Sequence, residues 1–261
     1  MNLFYAPIAM SKIKFDFKGK TVVITGASQG IGMATAEAFM KSGANVVNIS
    51  KSPQKSGGSS RYKFIRIDIT DLKSVRKWVS DFTKKKNIDI LVNNAGIYPQ
   101  SSLLNVSEQE WDRTLNTNLK SLFFISSYVA EHMQKNGKGV IVNASSFASI
   151  IPSIGSGVYA MSKAAVSSLT KSMAAEWGPF GIRVNSYSPG VIITSMTKGI
   201  IAAKNKKIIE STALSRCGKP DEVAQLVLFL CSDAASYITG ANIEITGGKF
   251  LVQNQYDASK R

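Results

Sequence analysis

Short apolar runs alternate with longer stretches of helical periodicity along this chain. "TVVITG" (21–26) is an apolar run closed by glycine. "NVVNIS" (45–50), "KFIRID" (63–68), "IDILVNNAG" (88–96), "GVIVNASS" (139–146), "IRVNSYSPG" (182–190) and "GANIEITGG" (240–248) follow it. Most are apolar at successive positions instead of every second one, the mark of strands covered on both faces. Between them, "MATAEAFMKSG" (33–43) reads as a helix stopped by Gly43, and 72–86 as a second. Ser107 and Glu110 form a capping box that opens a long helix over 107–136. A further helix is predicted over 157–178, and one over 220–232 with Pro220 near its start. This alternation predicts an α/β fold: one doubly wound Rossmann domain of about seven parallel strands, helices on both faces and right-handed crossovers. The polar segment 51–62 replaces the helix expected between the second and third strands.

Composition narrows the picture. With 261 residues, 44% hydrophobic and 19% charged, the chain suits a single domain with a substantial core. No apolar run is long enough to span a bilayer, and the first residues lack the basic stretch of a secretory signal. Met10 is a sensible alternative start, so residues 1–9 are expected to be an upstream extension. Two cysteines (Cys217, Cys231) and one histidine (His132) are too few for a Cys/His metal site, and no metal is expected. Low cysteine use fits a reducing compartment, and a cytoplasmic location is expected. The net charge of +15 would attract nucleic acid, an acidic carrier protein or phosphorylated ligands. The lysines are scattered, however, and no basic stretch is interleaved with aromatics, so a solvated lysine-rich surface is preferred and nucleic acid is not expected.

Candidate chemistry begins at "TGASQGIG" (25–32), between the first strand and first helix. Gly26, Gly30 and Gly32 permit a tight turn and close backbone approach, and the helix N-terminus offers N–H groups to a pyrophosphate. Ser28, Gln29 and Ile31 share that loop. The second strand ends Ser50-Lys51, with no Asp or Glu from Ala44 to Ile67 to take a ribose 2′-hydroxyl. Lys51, Lys55 and Arg61 stand there instead, which favours NADP(H) over NAD(H) through attraction to a 2′-phosphate. Farther on, "VYAMSKAAVSSL" (158–169) puts Tyr159 and Lys163 one turn apart on a helix face. A cationic lysine so placed is expected to lower the pKa of the phenol.

Taken in order, "TGASQGIG", "IDITD", "NNAG" (93–96), "WDRTLNTNL", "NASS", "YAMSK", "SPGVIIT" (188–194) and "TGANIEITGG" resemble the short-chain dehydrogenase/reductase family over about 17–248. The resemblance implies a dinucleotide-binding and catalytic domain at 17–248, an N-terminal extension at 1–16 and a C-terminal tail at 249–261. It implies hydride transfer between nicotinamide and a ketone or secondary alcohol. Tyr159 is then the acid/base and Lys163 its partner, which also holds the nicotinamide ribose. Ser146 hydrogen-bonds the substrate oxygen, and Asn118 positions a water leading to Lys163. Asp68 and Ile69 are implied at the adenine, and Asn94, Ala95 and Gly96 along the adenosine ribose. Pro189, Gly190, Val191, Ile192 and Thr194 are implied around the nicotinamide amide. Two features depart from the pattern. Thr246 stands before Gly247-Gly248 where aspartate is frequent, and bulky Tyr187 stands where a smaller residue is common.

Substrate contacts are expected from 97–105, 147–157 and 195–220, the last as a mobile lid, and Phe147, Ile150, Ile151 and Met196 suggest an apolar pocket. A ketone reductase or secondary alcohol dehydrogenase is the leading reading. A 3-oxoacyl-carrier-protein reductase, with acyl carrier protein as partner, and a sugar or polyol dehydrogenase are alternatives. A cofactor-binding protein without turnover is a reading of another class. The resemblance also implies a homo-oligomer, a tetramer or dimer built on the two long helices.

Overall fold

A computed structural model describes residues 14–53 and 59–252. The expected extension up to residue 13, Lys55 and residues 253–261 lie outside them. Seven strands make one sheet: β1 (Thr21–Thr25), β2 (Asn45–Ser50), β3 (Tyr62–Arg66), β4 (Ile90–Asn93), β5 (Gly139–Ala144), β6 (Ile182–Pro189) and β7 (Asn242–Ile245). Their order is β3-β2-β1-β4-β5-β6-β7, and every pair is parallel. The helices are α1 (Gly30–Lys41), α2 (Leu72–Thr83), α3 (Glu108–Leu115), α4 (Ser121–Asn136), α5 (Gly157–Trp177), α6 (Lys198–Glu210) and α7 (Pro220–Cys231).

The pleat sends successive side chains of each strand to opposite cores. Val22 and Ile24 join Phe39 of α1 and Val227 and Leu230 of α7 on one face. Val23 joins Val75 of α2, Ile125 of α4 and Val166 of α5 on the other. Apolar strands therefore follow from two helical layers, as the sequence pattern predicts. From β1 the chain runs outward through β2 and β3, then crosses back to β4 on β1's other side. That reversal opens a crevice at the C-terminal ends of β1 and β4, where such folds bind ligands.

Several elements differ from the pattern-based boundaries. The strand predicted over 88–96 stops at Asn93, because Thr25 Oγ1 takes the N–H groups of Asn94 (3.1 Å) and Ala95 (3.1 Å). The last strand stops at Ile245, since Gly247 (φ +66°) and Gly248 (φ +76°) turn the chain away. The helix predicted over 107–136 is two helices joined by a π turn at Asn116–Lys120. The expected lid segment contains α6, which bends at Lys204 (φ −135°, ψ 20°). No helix occurs between β2 and β3 among the described residues.

Candidate active site

The glycine loop after β1 has a shape that only small residues allow. Gly26 has φ +70° and donates its N–H to Ile49 O at 2.9 Å. A Cβ on Gly32 would strike the Gly26 carbonyl and lie 2.5 Å from Asn94 Nδ2. Gln29 leads into α1 with extended backbone and no side-chain cap, leaving first-turn N–H groups for an anion. This cradle fits a pyrophosphate. Asn48, in the middle of β2, supports it from below: its Oδ1 accepts from Ala27 N (2.9 Å) and its Nδ2 donates to Ser28 Oγ (3.1 Å). Asn94 braces the other side, with Nδ2 donating to Thr25 O (3.2 Å) and Gly26 O (3.1 Å). Tyr187, fully buried on β6, donates to Asn94 Oδ1 at 3.3 Å, so the bulky departure at this position fills a polar role.

At the outer end of the crevice, Ser28 Oγ and Ser50 Oγ lie 2.6 Å apart. Lys51 Nζ lies 2.8 Å from Asp68 Oδ2. Burial raises the Asp68 carboxyl, but bonds from Lys51 and Thr70 outweigh it and hold the group below its usual value. Ile69 is buried beside it. A cavity of about 330 Å³ adjoins this pair, with Arg113 and Lys120 in its lining alongside Lys51. Across the crevice, residues 189–194 are pinned by Gly190 N to Ile245 O (3.0 Å) and by Gly218 N to Val191 O (3.0 Å). Thr194 Cγ2 faces Gly30, 3.3 Å from where a Cβ would stand. The structure thus brings this loop onto the phosphate loop.

The four candidate polar residues converge between these regions. Ser146 caps the short turn after β5, its Oγ accepting from Ala148 N at 3.1 Å. Tyr159 sits in the first turn of α5, half-buried, its ring edge-on to Tyr98 with centroids 4.6 Å apart. Lys163, one turn later and buried, donates from Nζ to Ala144 O at 2.7 Å, and Nζ lies 5.9 Å from the Tyr159 ring centroid. Asn118, fully buried in the π turn, accepts from Ile97 N at 2.9 Å and donates to Ile97 O (3.0 Å) and Ser162 Oγ (3.2 Å). A Cβ on Gly96 would stand 3.2 Å from Asn118 Oδ1 and 3.5 Å from Lys163 Nζ, so the absent side chain is what lets both approach.

The electrostatics differ from the expectation drawn from sequence. Burial pushes the Tyr159 phenol up to about 12, although a hydrogen bond with Ser146 pulls the other way. Burial also drives the Lys163 ammonium down to about 8. Removal from water dominates both groups, and each is held toward its neutral form.

Sequence reasoning assembled the glycine loop and the four polar residues but missed Thr25, Asn48 and Tyr98. Asn48 carried a signal, a lone amide within an apolar run; Thr25 and Tyr98 carried none.

Fold and crevice together define a dinucleotide-dependent oxidoreductase. The family described as enoyl-(acyl carrier protein) reductase matches residues 26–249. A 3-oxoacyl-[acyl-carrier-protein] reductase of Thermotoga maritima is 39% identical over 240 residues, covering 88% of this chain and 98% of that one. An NAD-dependent glycerol dehydrogenase of Listeria innocua is 39% identical over 244 residues, covering 90% and 95%. Among solved structures, a gluconate 5-dehydrogenase from Burkholderia cenocepacia, in complex with NADP and tartrate, is 29% identical with a TM-score of 0.87, covering 92% and 98%. The chain belongs to the short-chain dehydrogenase/reductase family. It is an NAD(P)-dependent oxidoreductase acting between a ketone and a secondary alcohol.

Proposed function

We propose that the protein reduces a ketone, or oxidises the matching secondary alcohol, with Tyr159 as acid/base and NADP(H) as preferred cofactor. The observation that carries the chemistry is the contact chain of Ser146 to Tyr159, Tyr159 to Lys163, and Lys163 beside Asn118 at Gly96. Nicotinamide supplies the hydride when bound. Negative charge then builds on the carbonyl oxygen, which needs a hydrogen bond and a proton as it develops. The Ser146 hydroxyl supplies the bond, and the Tyr159 phenol, held protonated by burial, supplies the proton. Lys163 stands beside the phenol ring and offsets the charge left on it. Asn118 holds the Ile97 backbone and the π turn in place beside Lys163, where it would position a water leading to that amine. Asn94, Ala95 and Gly96 would hold the adenosine ribose, and Pro189, Gly190, Val191, Ile192 and Thr194 the nicotinamide amide.

The NADP(H) preference rests on Lys51, Arg113 and Lys120, three cations against the single Asp68 carboxylate at this end of the crevice, and on the Ser28 and Ser50 hydroxyls, which can hydrogen-bond a phosphate. The Listeria relative is NAD-dependent and the Burkholderia one was solved with NADP, so relatives divide on this point. Ketones and acyl thioesters screened with NADPH and NADH test the reading. NADPH is expected to give a kcat/KM at least tenfold above NADH. Lys51→Asp is expected to erase that advantage, because one close charge contact is worth about a factor of ten. Equal efficiency of the wild type with both cofactors refutes the preference, and no turnover with either leaves a cofactor-binding protein.

The same reading makes the chain a homo-oligomer packed through α4 and α5, where Phe123 and Met161 lie exposed. Sedimentation velocity is expected to show a dimer or tetramer at micromolar concentration; a monomer at all concentrations contradicts it. No helix among the described residues is long and apolar enough to cross a membrane.

A further inference from the structure

Phe147 directly follows Ser146 and is buried. Its ring stacks on Phe250, with centroids 6.4 Å apart and planes inclined by 28°. Phe250 lies beyond the last strand, and the backbone fixes it there. Its N–H donates to Ser211 O at 3.0 Å, while Leu214 N donates to Gly247 O (3.0 Å) and Ala213 N to Gly248 O (3.2 Å). Phe250 has φ +49°, a conformation unusual for an aromatic residue and kept only where neighbours over-determine it. Residues 247–250 thus strap the C-terminal end of α6 to the wall beside Ser146.

The chemistry of this wall is one-sided. Residues 147–157 carry no charge. Ile150 and Ile151 (46% and 41% exposed) continue it on one side, Leu214 (62%) lies on the segment paired with the strap, and Leu251 (69%) directly follows the strap. The one charge on the strap, Lys249, donates from Nζ to Ser211 Oγ at 3.0 Å and lies 4.7 Å from the Phe250 centroid. Nearby Arg216 is paired with Glu222 at 2.6 Å. A polyhydroxy substrate would press hydroxyls against the exposed Phe250 ring, backed by buried Phe147, which returns no hydrogen bond, and unpaired hydroxyls are costly. A hydrocarbon arm gains from the same surface.

We infer that Phe147 and Phe250 form an aromatic clamp for a hydrocarbon arm on the reacting carbonyl, so that the substrate is a ketone with an alkyl or aryl group and not a sugar or polyol. This rests on the ketone-reductase reading and names its substrate class. The test compares acetoacetyl and 3-oxooctanoyl thioesters of N-acetylcysteamine, which differ only in chain length, with gluconate and glycerol in the oxidative direction. Wild-type kcat/KM is expected to be at least tenfold higher for the eight-carbon substrate. Phe250→Ala is expected to shrink that ratio to threefold or less, while Phe250→Leu, which keeps an apolar side chain, retains most of it. A wild-type ratio near one, an equal loss on both thioesters in Phe250→Ala, or a preference for gluconate or glycerol overturns the clamp and leaves the oxidoreductase standing. Absence of turnover with any substrate and either dinucleotide removes both.

Discussion

Tyr159→Phe is expected to lower kcat by between about a hundredfold and ten-thousandfold, the range that a positioned proton donor contributes. The substitution removes one oxygen and leaves the ring, so the edge-on contact with Tyr98 survives. The Ser146 hydroxyl loses one partner but keeps the bond from Ala148 N. Dinucleotide affinity, followed by fluorescence titration, is therefore expected to stay within about fivefold, since one lost neutral hydrogen bond is worth about 1 kcal/mol. Thermal stability should change little. A variant that keeps more than a tenth of wild-type kcat would show that another group delivers the proton.

Lys163→Met is expected to abolish activity and to make the protein more stable at neutral pH. The Lys163 ammonium falls from its ordinary 10.5 to about 8 because burial penalises the charge. The unfolded chain keeps the proton up to about pH 10.5, so between about 8 and 10.5 it binds more protons than the folded chain. Wild-type stability from this group therefore rises with pH across that window. Below about pH 8 the full cost of the buried charge is present, about 3 kcal/mol. Methionine removes the charge and keeps the bulk, but it leaves the Ala144 carbonyl without the 2.7 Å bond. The net gain at pH 7 is expected to be about 1–2 kcal/mol once that loss is counted. It should shrink toward pH 10. Denaturant unfolding at the two pH values measures it; a variant less stable than wild type at pH 7 would mean that the amine is held by interactions stronger than its burial cost.

The sheet was legible because its inner strands are buried on both faces and run nearly apolar through their length, as "TVVIT" and "ILVN" do. The phosphate loop was legible because its backbone path excludes a Cβ at Gly32. Long-range contacts were not. Tyr187 meets Asn94 across 93 residues of chain, and no local pattern announces that pairing. Phe250 looked like the start of a tail, because nothing in the sequence tells that the backbone beyond β7 returns to the end of α6. The Tyr159–Lys163 spacing was plain, but the direction of the phenol's shift depends on burial, which spacing does not report.

The π turn at Asn116–Lys120 has a bearing on how the preceding and following helices are read. Thr114, Asn118, Leu122, Ser126 and Ala130 are all buried, one every four residues. On an unbroken α-helix each such step overshoots a full turn by about 40°, so four steps wander by about 160° around the axis. The bond from Ser121 N to Asn116 O spans five residues and absorbs one residue's rotation, about 100° of that drift. The surplus residue acts as a phase correction, keeping upstream and downstream positions on one side of the rod. A helical wheel drawn straight through 107–136 carries that error from the π turn onward.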